Sequence, residues 1–265
     1  MNPSLPNASL TLALGAAWGQ QGSSVELGGV DILVVPGGLD MGLGPDEGMA
    51  LLARRIGKGR VLYVPGLEEL AGATIEQGVK ALRTAAKGKR LRVLYRNRVD
   101  IGGVAFLGAM FWPSLTMMGT AHNQVIDGLA QQFPSYQAIV GSSGGSLRAA
   151  EIRHEHSRDL AWLKRQLAAD PTIPKVVITH FAPAARSLEP PLSLESALHA
   201  SSAAGLVKQS LLWIHGRASH PVLYRLGRDP EKGLVVGDHP NLEEGVDTSS
   251  RFVVREGRVE PASDP

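Results

Sequence analysis

Two stretches decide the fold of this chain: Lys175-Val-Val-Ile-Thr-His180-Phe-Ala-Pro183 and Leu211-Leu-Trp-Ile-His215-Gly216-Arg217-Ala-Ser-His220. Each is a short run of β-branched and apolar residues that gives way to a histidine. Such continuous apolar runs are typical of buried strands in a parallel sheet. Ligands of open α/β sheets bind beyond the carboxyl ends of the strands. We therefore expect His180 and either His215 or His220 to share one rim, as in a metal or phosphate site.

Apolar runs alternate with helical patterns along the rest of the chain. Strands are predicted at 10–14, 30–35 and 60–64, and a helix is predicted over 45–56. Strand, helix, strand with glycine close behind the strands is typical of βαβ units in a largely parallel sheet. Further elements are expected in this order: a helix at 74–86, a Gly-Gly hairpin at 99–109, a long helix before Asp170-Pro171, a helix near 198–207, and antiparallel strands at 222–225, 233–236 and 251–254.

The long helix is predicted from a single apolar stripe, which comprises Ile152, His156, Leu160, Leu163 and Leu167. His154 and His156 lie on this helix, two residues apart, so they face different sides of it. We expect structural roles for both histidines rather than joint binding of a metal.

The composition favours one large domain that spans residues 1–265. The chain is 43% hydrophobic and 20% charged, which allows a sizeable core. Its formal net charge is only +2, so neither a nucleic-acid partner nor an anionic membrane is indicated. It has no cysteine, which excludes disulfides and thiolate metal ligands. Without a basic signal region or a membrane-length apolar segment, a cytoplasmic protein is expected.

Two local sequence patterns bear on whether the chain has an anion-binding site. Basic residues concentrate between Lys87 and Arg98, but they alternate with apolar ones, which favours a solvated strand face over a nucleic-acid patch. The glycines of Gly141-Ser-Ser-Gly-Gly-Ser146 resemble a phosphate cradle. No Gly-Lys-Ser/Thr follows them, so a P-loop is not predicted.

Taken together, these motifs resemble the calcineurin-like metallophosphoesterases over nearly the whole chain and in the family's order. The segments similar to that family are Asp31-Ile-Leu-Val-Val-Pro-Gly-Gly38, Leu62-Tyr-Val-Pro-Gly66-Leu67-Glu68-Glu69, the hairpin Ile101 to Trp112, Thr179-His180-Phe-Ala-Pro183 and Leu212-Trp-Ile-His215-Gly216. The resemblance implies a four-layer α/β/β/α sandwich of two mixed sheets. It also implies phosphoester hydrolysis by two divalent metals that a carboxylate bridges.

The chain departs from the family at most of the positions that would hold those metals. Gly38 stands where the resemblance places the bridging aspartate, Leu67 replaces an asparagine and Glu68 replaces a histidine. Arg217 takes the place of the first histidine of the closing motif, and Gly15 to Trp18 contains neither aspartate nor histidine. His180 survives, as does His220 if one inserted residue is allowed. We therefore expect no two-metal centre and no cofactor.

Three functions remain open at this point. The first is a non-catalytic binding or interaction module for a phosphate-containing small molecule or a protein partner, in which Arg217 either holds the phosphate or is merely solvated. Its residual pocket would comprise His180, His215, Arg217, His220 and Glu68. The second is a phosphoesterase with a rearranged or single-metal site, in which zinc or manganese is held by His180, His220 and Asp40, with help from Glu68 or Glu69. The third is a structural or assembly role.

Overall fold

Two six-stranded sheets form the centre of the molecule. The computed structural model describes residues 9–14, 29–38, 44–55, 59–220, 222–237, 251–255 and 257–261. Within these residues the strands are β1 (Leu10–Leu14), β2 (Ile32–Val35), β3 (Arg60–Tyr63), β4 (Leu91–Val93), β5 (Asn97–Ile101), β6 (Val104–Ala109), β7 (Lys175–Thr179), β8 (Leu212–His215), β9 (Val222–Arg225), β10 (Leu234–Gly237), β11 (Arg251–Arg255) and β12 (Arg258–Pro261).

Both sheets are mixed. The first has the order β12-β11-β1-β2-β3-β4, in which β1 to β4 run parallel. β11 pairs antiparallel with β1, and β12 pairs antiparallel with β11. The second has the order β5-β6-β7-β8-β10-β9, and β6, β7, β8 and β10 run parallel. The carboxyl ends of β2 and β3 in one sheet and of β7 and β8 in the other therefore supply the loops of the site.

The helices pack on the outer faces of the two sheets or contribute to the apolar layer between them. They are α1 (Pro45–Arg55), α2 (Ile75–Ala85), α3 (Asn123–Gln132), α4 (Pro134–Gln137), α5 (Ala149–Ala168) and α6 (Ala204–Val207), with short 3-10 helices at Glu68–Leu70, Thr120–His122, Ala185–Ser187 and Leu194–Leu198. Buried side chains of α1 and α2 pack on the first sheet, and those of α5 and α6 pack on the second. The buried residues of α3 and α4 join the apolar cluster between the sheets.

A third and larger apolar cluster lies between the sheets. It combines Leu12, Val34 and Leu62 of the first sheet with Phe106 and Ile178 of the second. Alternate residues of each strand face this layer, while their neighbours face the helices, so strands buried on both sides read as continuous apolar runs. The predicted four-layer α/β/β/α sandwich of two mixed sheets is confirmed.

The C-terminal strands differ from the predicted antiparallel tail. β10 pairs in parallel with β8, and only β9 and β10 form an antiparallel pair at the edge of the second sheet. β11 and β12 belong to the first sheet, where β11 pairs antiparallel with β1. Local alternation predicts strands but not the sheet that they join, because the pairing partners are distant in sequence.

The buried stripe of α5 also differs from the prediction. Ile152, Leu163 and Leu167 are buried as expected, but Glu155 and Asp159 take the positions assigned to His156 and Leu160. The Nδ1 of His156 donates a hydrogen bond of 2.7 Å to the Trp112 carbonyl oxygen, in keeping with a structural role. The predicted helix near 198–207 is shorter, since only Ala204–Val207 is α-helical.

Glu155 and Asp159 belong to a buried charged cluster with Tyr95, Arg96 and Trp112. Arg96 Nη1 lies 2.8 Å from Glu155 Oε2 and 2.7 Å from Asp159 Oδ1, and the Tyr95 hydroxyl donates to Glu155 Oε2. The Trp112 Nε1–H donates to the Tyr95 oxygen at 3.1 Å. Burial raises the pKa of Asp159 to about 6, and Arg96 only partly offsets that effect. The cluster ties α5 to the link between β4 and β5.

None of the helices in the described ranges combines the length and the apolar composition that crossing a membrane requires.

Candidate functional site

Four strand ends meet in a tight arrangement of glycines around His180. A Cβ on Gly37, after β2, would lie 2.4 Å from His180 Nδ1 and 2.8 Å from the Gly66 nitrogen, after β3. A Cβ on Gly216, after β8, would lie 2.3 Å from the Pro36 carbonyl oxygen. All three distances are shorter than the contacts that real Cβ atoms make, so positions 37 and 216 accept only glycine without rearrangement. The glycines let the two sheets approach closely at the rim.

His180 is fully buried at this junction. Its Nδ1 donates a hydrogen bond of 3.0 Å to the carbonyl oxygen of Pro36, while its Nε2 has no hydrogen-bond partner among the described residues. Burial and the nearby charge of Arg217 lower the pKa of His180 to about 4. The imidazole is therefore neutral at pH 7, and its Nε2 carries a lone pair that can accept a hydrogen bond or bind a cation.

Arg217 and Glu68 form a partly exposed ion pair near His180, and we call this cluster the His180–Arg217 pocket after the predicted residual pocket. Arg217 Nη1 lies 3.2 Å from Glu68 Oε1, and the two side chains are 19% and 40% exposed. Arg217 has a φ of 53°, a left-handed conformation that places its side chain beside the strand ends. Its guanidinium carbon lies 5.7 Å from the Phe133 ring centroid and 5.8 Å from that of Phe181. These rings hold the guanidinium by cation–π attraction.

The ion pair keeps both charges at neutral pH. Burial acts to raise the pKa of Glu68, but His180 and Arg217 outweigh it, so the pKa of this carboxyl lies below its usual range. Because His180 is neutral at pH 7, Arg217 supplies the positive charge that Glu68 senses there. One donor of the guanidinium faces Glu68, and a guanidinium has further N–H groups available to an anion.

Other residues near Arg217 belong to segments that the sequence motifs did not mark. Tyr136 in α4 is buried and donates to the Leu198 carbonyl oxygen at 2.7 Å. The His199 ring lies 5.4 Å from the Phe133 ring, and burial followed by the charge of Arg217 lowers the pKa of His199 to about 4. Sequence reasoning missed these residues because no motif surrounds them; only tertiary packing brings them to Arg217.

His215 does not face this pocket. It pairs across the sheet with Thr179, and it shares a strand face with Trp213, which packs among the residues of α5 and α6. Its Nδ1 donates to the Gly216 carbonyl oxygen at 2.8 Å, and its ring covers Gly237, where a Cβ would lie 2.9 Å from Cε1. His215 and His180 both lie at the carboxyl ends of neighbouring strands, but they differ in what they contact. His215 packs on Gly237, whereas His180 packs on Gly37 and Gly66.

His220 contributes to the lowered pKa of His215. Burial is the largest cause that lowers the pKa of His215 to about 4, and His220 adds to it. The groups that shift the pKa of His180 are Arg217, Glu68 and His199. Of the predicted residual pocket, the structure thus brings together His180, Glu68 and Arg217. His215 packs on Gly237, and the Nδ1 of His220 lies 3.4 Å from the Ser219 hydroxyl.

The described residues do not supply a ligand set for metals. They contain no group of three or more histidine, aspartate or glutamate side chains placed to hold a metal ion. Leu67 is completely buried in the apolar core, and Gly38 has no side chain. Two dications about 4 Å apart repel strongly unless carboxylates offset their charge. Asp40 and the segment Gly15 to Trp18 lie outside the described residues.

In the glycine-rich loop from Gly141 to Ser146, the backbone N–H of Ser142 donates a hydrogen bond to the Glu151 carboxylate of the same chain. Glu151 accepts hydrogen bonds from the Ser142 backbone N–H at 2.7 Å and the Arg148 backbone N–H at 3.0 Å. Burial opposes ionisation of Glu151, but these bonds prevail and lower its pKa to about 2. A phosphate at this point would have to displace Glu151.

The fold recurs in solved phosphoesterase structures. A phosphopantetheinyl hydrolase from Mycobacterium tuberculosis aligns with a TM-score of 0.56 at 16% identity, covering 88% of this chain and 91% of that one. A dimetal phosphatase from Danio rerio aligns with a TM-score of 0.53 at 11% identity, covering 94% and 93%. The chain has a metallophosphoesterase-like fold. No protein-family model and no curated protein matches the sequence.

Proposed function

We propose that this protein binds a phosphate-bearing small molecule at the His180–Arg217 pocket and does not hydrolyse it by a two-metal route. The observation that carries the proposal is the Arg217–Glu68 ion pair at 3.2 Å. It stands at two positions where the family resemblance calls for histidines: Glu68 replaces the histidine that would assist departure of the leaving group, and Arg217 replaces the first histidine of the closing motif. A fixed guanidinium there provides, without a metal, the positive charge that attracts a phosphate.

The chemistry of the guanidinium suits this ligand. Its planar N–H donors bind two oxygens of one phosphate at once through charge-assisted hydrogen bonds. The Phe133 and Phe181 rings restrict the side chain, so less freedom is lost on binding. A phosphate dianion carries more charge than the Glu68 carboxylate and competes with it for the guanidinium. The names of the two solved neighbours, a phosphopantetheinyl hydrolase and a dimetal phosphatase, associate this fold with phosphate compounds.

Calorimetric titration of inorganic phosphate and AMP tests the proposal. Wild type should bind saturably, Arg217→Ala should bind at least about tenfold more weakly, and Arg217→Lys should fall between them because it keeps the charge but not the bidentate geometry. Arg258→Ala is the matched control, since Arg258 is an exposed arginine paired with Glu231 at 2.9 Å. Equal, weak binding by wild type and Arg217→Ala would refute a role for Arg217.

A metal-dependent phosphoesterase with a single-metal site is the second candidate. It is favoured by the unpartnered Nε2 of His180, because a Nδ1–H held by a backbone carbonyl is a common arrangement for a metal-bound histidine. Zinc or manganese would also need His220 and Asp40, and Asp40 lies outside the described residues. Metal analysis of protein prepared without chelator discriminates the two. Stoichiometric metal together with hydrolysis of an aryl phosphate, both lost in His180→Ala, would favour this candidate.

A further inference from the structure

A second candidate binding region lies between α2 and α5, on residues different from those of the His180–Arg217 pocket. It is an open groove of about 1390 Å³. Small-molecule pockets usually have volumes of about 300–1,000 Å³, so an extended ligand fills this groove better than a compact one. We call it the α2–α5 groove; Lys80, Lys87 and Arg158 lie along its walls, with Arg96 at its base.

The cations of one wall follow the helical repeat. Lys80, Arg83 and Lys87 are separated by three and four residues, so they lie along one face of α2 and the turn after it. From Lys80 to Lys87 they span about 10 Å at the rise of an α-helix. Arg83 is anchored to the Tyr95 carbonyl oxygen and to Asn97. Lys80 and Lys87 are exposed and form no ion pair with any described residue.

Most of the acidic charge of the groove is already engaged within the protein. Glu151 accepts backbone hydrogen bonds from Ser142 and Arg148. Glu155 accepts from Tyr95 and Arg96 on one oxygen and from Arg158 on the other. The third lining carboxylate, Glu76, lies in the first turn of α2. The groove therefore presents a net positive surface, in which Glu76 lies one helical turn before Lys80.

Apolar side chains also line the groove, and two of them, Val79 and Leu147, are largely buried. Ile75, Val79, Val140 and Leu147 line the same groove. Its one lining Phe, Tyr or Trp residue, Tyr95, is buried, with the Arg96 guanidinium carbon 4.4 Å from its ring centroid. The exposed imidazole of His154 is the other lining ring. A single exposed ring offers little to a single-stranded nucleic acid, whose successive bases stack on several aromatic side chains. Alternating apolar and acidic side chains complement this surface better.

From this charge complementarity we infer that the α2–α5 groove binds an extended acidic segment of a partner protein, in which carboxylates alternate with aliphatic side chains. The carboxylates contact Lys80 and Lys87, and the aliphatic side chains contact the apolar floor. The inference is independent of the phosphate pocket, because the groove shares none of its residues.

Fluorescence anisotropy with a labelled twelve-residue peptide of repeated Glu-Leu-Asp units tests the inference. Wild type should bind saturably, and Lys80→Glu/Lys87→Glu should lose at least about tenfold in affinity, since two favourable contacts become repulsive. The matched control is Lys164→Glu/Lys232→Glu, which makes the same charge change at exposed lysines outside the groove and should keep wild-type affinity. Raising the salt concentration should weaken the wild-type complex.

Further probes test whether the groove prefers an acidic peptide to other ligands. A peptide with Gln and Asn in place of Glu and Asp should not bind, and polyphosphate and oligothymidylate should bind more weakly than the acidic peptide. The inference is overturned if wild type shows no saturation, if both double variants lose affinity equally, or if oligothymidylate or the neutral peptide matches the acidic one. Circular dichroism on each variant separates loss of binding from loss of fold.

Discussion

The Arg217 guanidinium contacts the Glu68 carboxylate at 3.2 Å, although the two residues lie 149 positions apart in the chain. The contact joins the loop after β3 in one sheet to the loop after β8 in the other. It places a charged pair at the His180–Arg217 pocket, and either a ligand or a substitution can separate that pair.

Glu68→Gln should strengthen the binding of phosphate. Removing the carboxylate removes the competitor for Arg217, so the Kd for inorganic phosphate should fall by about three- to tenfold. Because Glu68 is 40% exposed and water screens the pair, the free energy of unfolding should change by less than about 1 kcal/mol. Calorimetry and urea unfolding measure the two effects. Weaker phosphate binding by Glu68→Gln would show that the carboxylate is not a competitor.

Gly37→Ala should destabilise the protein by about 3 kcal/mol or more, because the new Cβ collides with His180 and with the Gly66 backbone. Gly29→Ala is a matched control. Gly29 has a similar φ, +72° against +86°, but nothing lies within 4 Å of its added Cβ. It should cost only the conformational strain, about 1–2 kcal/mol. Denaturant unfolding compares them, and equal losses would mean that the rim is not tightly packed.

Arg96→Ala should cost about 3–5 kcal/mol in free energy of unfolding, because it leaves the carboxylate of fully buried Asp159 without its cation. Arg98→Ala, two residues away, should cost less than about 1 kcal/mol. Arg98 pairs with Asp100 and Asp170, whose side chains are more than half exposed. Thermal unfolding of both variants checks this contrast. A similar loss in both would contradict the role assigned to burial.

Acid should destabilise the protein between pH 6.5 and pH 4 through His215. The unfolded chain takes up a proton at this histidine near pH 6.5, whereas burial lowers the pKa in the folded state to about 4. Stability that is present above pH 6.5 is therefore lost as the pH falls, by up to about 3 kcal/mol. His215→Asn, which keeps a donor for the Gly216 carbonyl, should flatten this dependence. Urea unfolding at several pH values measures it, and an unchanged slope would argue against a buried neutral His215.

Asp159 should act in the opposite direction. Burial raises the pKa of Asp159 to about 6 in the folded state. As the pH falls, the folded state therefore binds this proton before the unfolded state does. The free energy of unfolding rises as a result. In Asp159→Asn that gain is absent, and the loss of stability between pH 6.5 and pH 4 should be steeper than in wild type. The same urea series measures it. A shallower profile would reverse the assigned sign.

Much of the fold follows from local sequence, because buried parallel strands and glycines at strand exits leave a distinct pattern. The strands at 10–14 and 175–179 have the predicted bounds. The helix Pro45–Arg55 begins at the predicted residue, and Ile75–Ala85 is one residue shorter than predicted at each end. The sheet joined by β11 could not be predicted in this way, because it depends on pairing with β1, some 240 residues earlier.

The site was predicted less completely than the fold. The placement of His180, Glu68 and Arg217 follows from strand ends that share one rim. The orientation of His215 depends on a register of one residue, which reverses the face of a side chain. Phe133, Tyr136 and His199 come from segments without periodic or motif signals, so only the folded chain reveals them. The burial of Glu155 and Asp159 was missed because charged residues are expected on the solvent face of a helix.

The buried position of Leu67 restricts which side chains this position can accept. An amide introduced there would replace apolar contacts in the core with a polar group that needs partners, at a cost of about 2–5 kcal/mol. A domain with about 5–15 kcal/mol of total stability tolerates few such steps. A polar ligand residue at position 67 would therefore need stabilising changes elsewhere in the fold to offset its cost.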